Sequence, residues 1–254
     1  MLIFQCEADN FNSWHSLLID RSNTLKQDSK FHNIDIKSIG FLHDSTIYLF
    51  TDREFHRYSS NFQQKLNSFI LLNEYNHFGC SGIIYDNYIY HMYVNDKQQM
   101  ILSILDFQTI KHINNENLTD RFPFVKRFQH FCIYDKFIYF LVQLESDRYA
   151  ILICLLENFR KIHLKSTIEL LYASNPIHIC PIYIPYTEKT VLFINDFSAK
   201  ILHIIINEKY FKSISIAAHE LFYYAEMNEI FFVLNDGIYT ININEQKNFF
   251  LKCH

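Results

Sequence analysis

A two-part signature recurs six times along this chain, at steps of about 45 residues, and no other feature restricts the fold as strongly. Its first part is a short apolar run, with an Ile or Val beside an aromatic residue, that closes on an acidic or Asn-Asp stop. The copies run Ile3-Phe4 to Asp9, Ile47-Tyr48 to Asp52, Ile89-Tyr90 to Asp96, Ile138-Tyr139 to Glu145, Val191-Leu192-Phe193 to Asp196 and Ile230-Phe231 to Asp236. The leading positions are spaced 44, 42, 49, 53 and 39 residues apart. The second part is another apolar run ending in a polar turn, at Asp20, Ser59, Asp106, Glu157, Asn207 and Asn244, with steps of 39, 47, 51, 50 and 37. Two independent landmarks that keep one phase imply a unit of four short strands, repeated. A repeat of that length and composition predicts an all-β chain folded as a single β-propeller.

Residues 78–118 show the layout. Cys80–Tyr85 reads as an inner strand, Asp86-Asn87 as its hairpin turn, Tyr88–Val94 as a second strand and Asn95-Asp96-Lys97 as the next turn. Met100–Leu105 is the third strand, and Ile110–Ile113 is a ragged outer one. Polarity rises toward the outer strand, as expected where inner strands are covered on both faces and the outer edge meets water. The chain therefore predicts one domain over 1–254, with repeats at about 1–33, 39–76, 78–118, 129–170, 177–216 and 217–254. Six blades of four-stranded antiparallel sheet are expected, with five or seven as alternatives. The first blade is expected to be incomplete, because residue 2 already opens what reads as a second strand. Either the ring closes with one three-stranded blade or residues are missing at one end. A short helical turn is expected at Thr167–Tyr172, and residues 114–127 and 167–176 read as the longest connections.

Composition narrows the function classes. A net charge of −4 gives no general attraction for nucleic acid or an anionic membrane. No run approaches the length of a membrane span, and Met1–Glu7 lacks the basic start of a secretory leader. The six Cys contain no C-x-x-C and are irregularly spaced, which points to reduced thiols rather than a disulfide framework. The expected location is therefore the cytoplasm, without membrane attachment. With only 4 Gly and 4 Pro, the turns must be carried by Asn, Asp, Ser and His, of which Asn and Asp best tolerate the left-handed region.

The apolar-Tyr pairs of the second strands, followed by a third strand ending Leu105-Asp106-x-x-Thr109, resemble the kelch-type propeller repeat. The Gly-Gly pair of that repeat is replaced by Thr51-Asp52, Asn95-Asp96, Asn195-Asp196 and Asn235-Asp236, and its final Trp is absent, Trp14 being the sole Trp in the chain. What the resemblance implies is a protein-interaction propeller.

Candidate chemistry is sparse. His77 with Cys80, His130 with Cys132, and His178 with Cys180 fall near the starts of expected inner strands, and imidazole with thiolate suits Zn²⁺. Strand alternation alone puts His130 with Cys132 and His178 with Cys180 on shared faces. No metal and no cofactor is expected, and these four residues are the donor set to inspect. There is no G-x-S-x-G, no phosphate loop among Gly40, Gly79, Gly82 and Gly237, and no sialidase-type Asp box. Asp52, Asp96, Asp196 and Asp236 read as hairpin caps. The expected function is a non-catalytic scaffold or adaptor that binds another protein through loop side chains, with Phe122, Phe124, Arg127, Tyr172 and Tyr186 as the contact residues. The alternatives are a hydrolase-type enzyme with a site at the channel mouth, and a fragment or lineage-specific chain under relaxed constraint.

Overall fold

A computed structural model describes residues 36–41, 47–59, 64–72, 78–158, 161–184, 189–196, 198–206, 208–215, 220–224, 229–234 and 237–242. Among these, five antiparallel sheets follow one another, each in simple up-and-down order. The first holds β1 (Ile36–Phe41), β2 (Ile47–Thr51), β3 (Glu54–Tyr58) and β4 (Lys65–Ile70). The second holds β5 (Phe78–Tyr85), β6 (Tyr88–Val94), β7 (Met100–Asp106) and β8 (His112–Asn117). The third has β9 (Val125–Tyr134), β10 (Phe137–Leu144), β11 (Tyr149–Glu157) and β12 (Lys161–Leu170). The fourth has β13 (Pro176–Ile184), β14 (Lys189–Asp196), β15 (Ile201–Ile206) and β16 (Lys209–Ser215), and the fifth has β17 (Glu220–Tyr224), β18 (Glu229–Leu234) and β19 (Gly237–Asn242). The first strand of each sheet packs on the first strand of the next: β1 on β5, β5 on β9, β9 on β13 and β13 on β17. Sheets that meet in sequence along their innermost strands are blades, and the chain is an all-β propeller. The repeat expected at 1–33 lies outside the described residues.

Burial explains which runs take which place. The second and third strands are covered on both faces; five consecutive residues of β6 and of β7 are buried. Outer strands alternate or face water, as in β12 with Ile162, Ile168 and Leu170 buried between exposed neighbours. That alternation also corrects the helical turn expected at Thr167–Tyr172. Thr167–Leu170 finishes β12 at period two, opposite Tyr149–Leu152, and the helical turn forms instead at α1 (Leu118–Arg121). Asn117 caps α1 by accepting a hydrogen bond from the Asp120 N–H at 3.2 Å. The long connections shrink accordingly. Asn114–Asn117 pairs with Ile101–Ile104 despite its polar sequence, so the second described sheet reaches the third through residues 118–124 alone.

All four complete sheets carry a feature absent from the sequence reading. Register between first and second strands slips by one residue at Lys37, Cys80, Gln129 and Ile177, each one position before Ser38, Ser81, His130 and His178. A β-bulge at one height in four inner strands sharpens their twist and resets which residues face the neighbouring blade.

Glycine and turn chemistry are divided in an unusual way. Asp86 (φ 46°) and Asn87 (φ 62°) form the β5–β6 hairpin, and Asp135, Asp147 and Asn158 also take positive φ. Gln98, Ile110, Lys200 and Glu208 do so as well, which widens the expected set of turn residues. Ile110, a β-branched residue at φ 55°, is held there by the Asp106 corner and by packing on the core below it. The glycines serve close approach instead. A Cβ on Gly82 would sit 2.4 Å from the Phe50 ring, and one on Gly79 would sit 2.5 Å from the Asp52 carbonyl oxygen. The Gly79 N–H donates to that same oxygen at 2.9 Å. Both glycines thus belong to the seam between the first two described blades. Gly82→Ala is expected to cost about 1–3 kcal/mol, read as a lower urea midpoint with unchanged m-value, while Lys97→Ala at an exposed turn stays within about 0.5 kcal/mol.

Candidate functional site

The inner strands bring two of the three sequence-predicted His/Cys pairs together. His130 and His178 follow equivalent bulges on adjacent strands, and their rings meet edge to face at 5.0 Å. Cys132 and Cys180 lie two residues further along, both buried. The third pair falls out of phase: Cys80 is itself the bulged residue, so Ser81 and Ile83 take the equivalent places, and His77 lies outside the described residues. Among the described residues no group of three or more His, Cys, Asp or Glu is arranged to hold a metal ion.

Electrostatics in this region keep every group neutral. Burial drives the His130 imidazole well below its ordinary range, with His178 adding to the effect. Burial lowers His178 to about 4. The Cys132 thiol is pushed well up by burial and by Cys180, and Cys154 is raised to about 12 by burial against a small opposing pull from Arg121. These are inert thiols rather than nucleophiles. Cys132 and Cys154 are free and buried. A Ser–His hydrogen bond does exist, between Ser103 Oγ and His112 Nδ1 at 2.9 Å. Ser103 is 1% exposed, however, so a substrate has no approach to its hydroxyl.

Carboxylates expected at hairpins act as caps only in part: at the β2–β3 turn the cap is Thr51 rather than Asp52, its Oγ1 accepting from the Arg53 and Glu54 N–H groups at 3.4 and 3.0 Å. Asp106 Oδ1 accepts from the Gln108 and Thr109 N–H groups and from the Thr109 hydroxyl at 3.1, 2.8 and 2.8 Å, so the Leu105-Asp106-x-x-Thr109 motif builds a closed corner. At the β6–β7 turn the cap is Asn95 rather than Asp96, its Oδ1 accepting from the Lys97 and Gln99 N–H groups at 3.0 and 2.9 Å. Asp196 does more than cap. Fully buried, it accepts from the Ser174 N–H and hydroxyl, the Asn175 N–H and the Ala199 N–H, which ties the incoming connection 171–175 to the β14–β15 hairpin. Burial alone would raise its pKa, but these donors together hold it below the usual carboxylate range. Asp236 lies outside the described residues.

The predicted contact residues divide. Phe122 is corrected: it is 2% exposed, inside the third sheet's core with the Phe128 and Phe140 rings each 6.4 Å away. It follows α1 directly, and that short helix turns it inward. Phe124, Arg127 and Tyr172 are exposed, and Tyr186 lies outside the described residues. Phe124 and Tyr172 share one end of one blade, because Val125 pairs with Leu144 and Tyr149 pairs with Leu170. Sequence reading missed Leu171, 69% exposed beside Tyr172 at 68%. Its only signal was an apolar residue past the last alternating position of β12. This ledge is braced. The Glu145 N–H donates to the Phe124 carbonyl at 3.0 Å, and Lys126–Asp147 and Arg148–Glu169 are ion pairs of 2.5 Å each. Arg127 forms no ion pair with a described residue. Three interstrand spacings separate the two ends of the ledge, roughly 14 Å.

Comparison with known proteins adds little beyond architecture. No family model matches the sequence, and no curated protein matches it. Among solved structures, the chain is similar to Hsv2 of Kluyveromyces lactis, at 16% identity over 84% of this chain and 62% of that one, with a TM-score of 0.48. It is also similar to the extracellular domain of a one-component system from B. thetaiotaomicron, at 10% identity over 83% of this chain and 28% of that one, TM-score 0.49. A third likeness is to the complex of the fission yeast SREBP-SCAP binding domains, at 13% identity over 82% of this chain and 58% of that one, TM-score 0.48. The chain thus spans about three fifths of the length of Hsv2. At these identities and scores none of the three carries a functional argument.

Five histidines, four of them buried and His178 half-buried, make a shared acid liability. Burial lowers His91 to about 3, between the Phe50 and Tyr93 rings and with neither nitrogen hydrogen-bonded. His56 and His203 are also lowered by burial, partly offset by Glu54 and Asp196 respectively. An unfolded histidine takes up its proton near pH 6.5, while these folded ones resist it. Stability is therefore full above about pH 6.5 and falls as pH drops, each such group adding up to about 1.4 kcal/mol per pH unit between its two pKa values. Asp196 acts in the same direction lower down, since its depressed folded pKa gives stability that is lost only as pH falls below about 4. Urea midpoints measured from neutral pH to about pH 5 are expected to fall steeply, and His91→Phe is expected to flatten that slope. Asp196→Ala leaves four donors without their acceptor and is expected to cost about 2–4 kcal/mol at neutral pH.

Proposed function

We propose that this chain is a non-catalytic protein-interaction propeller which presents the ledge of the third described sheet, Phe124, Arg127, Leu171 and Tyr172, to a partner protein. The observation that carries this reading is the exposure of Leu171 and Tyr172, about two thirds each, on a five-residue connection whose far end is fixed by Asp196. Large apolar side chains on a braced backbone lose little freedom on binding, and a pair of this kind with an aromatic member is the composition of an interface anchor. Phe124 and an exposed guanidinium at the other end extend the same surface. Catalysis has no comparable support, since the Ser103–His112 pair is closed off and the inner-strand imidazoles and thiols are neutral. The kelch-like lineage rests on the Asp106 corner, and a six-bladed single domain in the cytoplasm completes the proposal. No helix among the described residues is long and apolar enough to cross a membrane.

Tandem purification of the tagged chain from its native cell, in parallel with a Phe124→Ala/Tyr172→Ala variant, tests the reading. A stoichiometric partner that the variant loses, with a thermal midpoint within a few degrees of wild type, is the expected outcome. A partner retained equally by the variant removes this ledge from the interface, and a monomer that retains nothing at moderate salt removes the scaffold reading.

A further inference from the structure

In each complete sheet the last residue of the second strand lies opposite the first residue of the first strand, and a different side chain stands there each time. Thr51 faces Ile36, Val94 faces Phe78, Leu144 faces Val125 and Asp196 faces Pro176. The third and fourth sheets give the sharpest contrast. Leu144 is buried in the apolar core, and the connection entering its sheet is met by backbone alone, the Glu145 N–H donating to the Phe124 carbonyl. The blade geometry therefore asks for no charge at this place. Yet in the fourth sheet a carboxylate sits there with no exposure to water, an arrangement that is unfavourable unless donors compensate it.

The donors come largely from the connection that carries Leu171 and Tyr172. Asp196 accepts from the Ser174 N–H and, at 3.1 Å, from the Ser174 hydroxyl, and the Asn175 N–H lies 3.2 Å from both carboxylate oxygens. Asn175 adds a second tie to the same hairpin, its Nδ2 donating to Ser198 Oγ at 3.1 Å. At the near end the Ala173 N–H donates to the Leu170 carbonyl at 3.3 Å, so residues 171–175 are held from both sides. Ser174 and Asn175 are exposed residues, and water is a ready partner for their N–H groups once the connection lifts away. What the carboxylate adds is a fixed place for the chain, next to two large apolar side chains that face solvent.

We propose that Asp196 is a positioning residue for partner binding: from the fourth sheet it holds Leu171 and Tyr172 of the third-sheet ledge in the arrangement that a partner protein meets. This role rests on the ledge being the interface. The binding surface is then shared between two blades, the third supplying the side chains and the fourth their placement. A connection anchored in this way loses its freedom on folding rather than on binding, which favours the complex.

Asp196→Leu installs the residue that the third sheet carries at this place, and Asp196→Asn keeps the shape with one acceptor oxygen. Hydrogen–deuterium exchange of the free chain over residues 171–175 is expected to rise about tenfold in Asp196→Leu and less in Asp196→Asn, with the Asp106 corner unchanged. Retention of the partner recovered by tandem purification is expected to fall in the same order, about tenfold for Asp196→Leu. Should Asp196→Leu fold poorly, Ser174→Ala replaces it, since this change removes only the hydroxyl contacts of an exposed residue, and both readouts should move the same way by a smaller factor. Unchanged exchange overturns the tether. Faster exchange with the partner retained at the wild-type level overturns the positioning role and leaves the ledge in place. A partner kept by Phe124→Ala/Tyr172→Ala, or no partner at all, removes the ledge reading itself, and the positioning role falls with it.

Discussion

The close contact between successive inner strands is the constraint on which everything else depends. A blade buries both faces of its middle strands only if its neighbours arrive at the correct height and distance. At the seam between β1–β4 and β5–β8 that approach is set by two absent side chains, at Gly79 and Gly82, and by the hydrogen bond from Gly79 to Asp52. Phe50 then fills the space over Gly82 and stacks near His91 at 6.0 Å, so one ring serves two blades. The buried histidines follow from the same tightness. A side chain caught in a seam has no water to exchange with, and burial outweighs the pull of the Glu54 and Asp196 carboxylates on His56 and His203.

Turn formation is separated from seam formation by residue type. Where many β proteins rely on glycine for left-handed backbone, this chain places Asp86, Asn87, Asp135, Asp147 and Asn158 there, while at Asp106 and Asn95 the short side chains hydrogen-bond back to the main chain. The same residue type at Asp196 extends its reach from one hairpin to the preceding connection. A loop that would otherwise be loosely tethered becomes a fixed platform for Leu171 and Tyr172. Rigidity at the exposed ledge thus originates in a carboxylate that no solvent touches.

Much of the architecture was legible because the inner and middle strands are apolar runs separated by turn residues, a pattern that survives without any single diagnostic side chain. Ile89-Tyr90 and Ile138-Tyr139 mark second strands because both faces there are covered. The outer strands were harder to read. His112–Asn117 has no apolar alternation, and its place in the sheet is fixed by backbone pairing with Ile101–Leu105, which composition does not encode. Phe122 shows the same difficulty at a candidate site. An aromatic residue in a connecting segment has the look of an anchor, and only the turn of α1 shows that it points into the core. The pairing of His130 with His178 could be anticipated from strand alternation, whereas the misfit of Cys80 could not, since it depends on a one-residue slip invisible in a linear pattern.

Those slips have a consequence for how such a chain can diverge. A bulge at one height in each complete inner strand divides that strand into two phases: an upper stretch that docks against the preceding turn and a lower stretch that runs to the opposite mouth. The unpaired residue absorbs the difference between them. Lys37, Cys80, Gln129 and Ile177 have nothing in common chemically, which fits a position that only has to be present. A substitution toward the mouth then leaves the register of the packed stretch above unchanged, so the bulge acts as an expansion joint between the two.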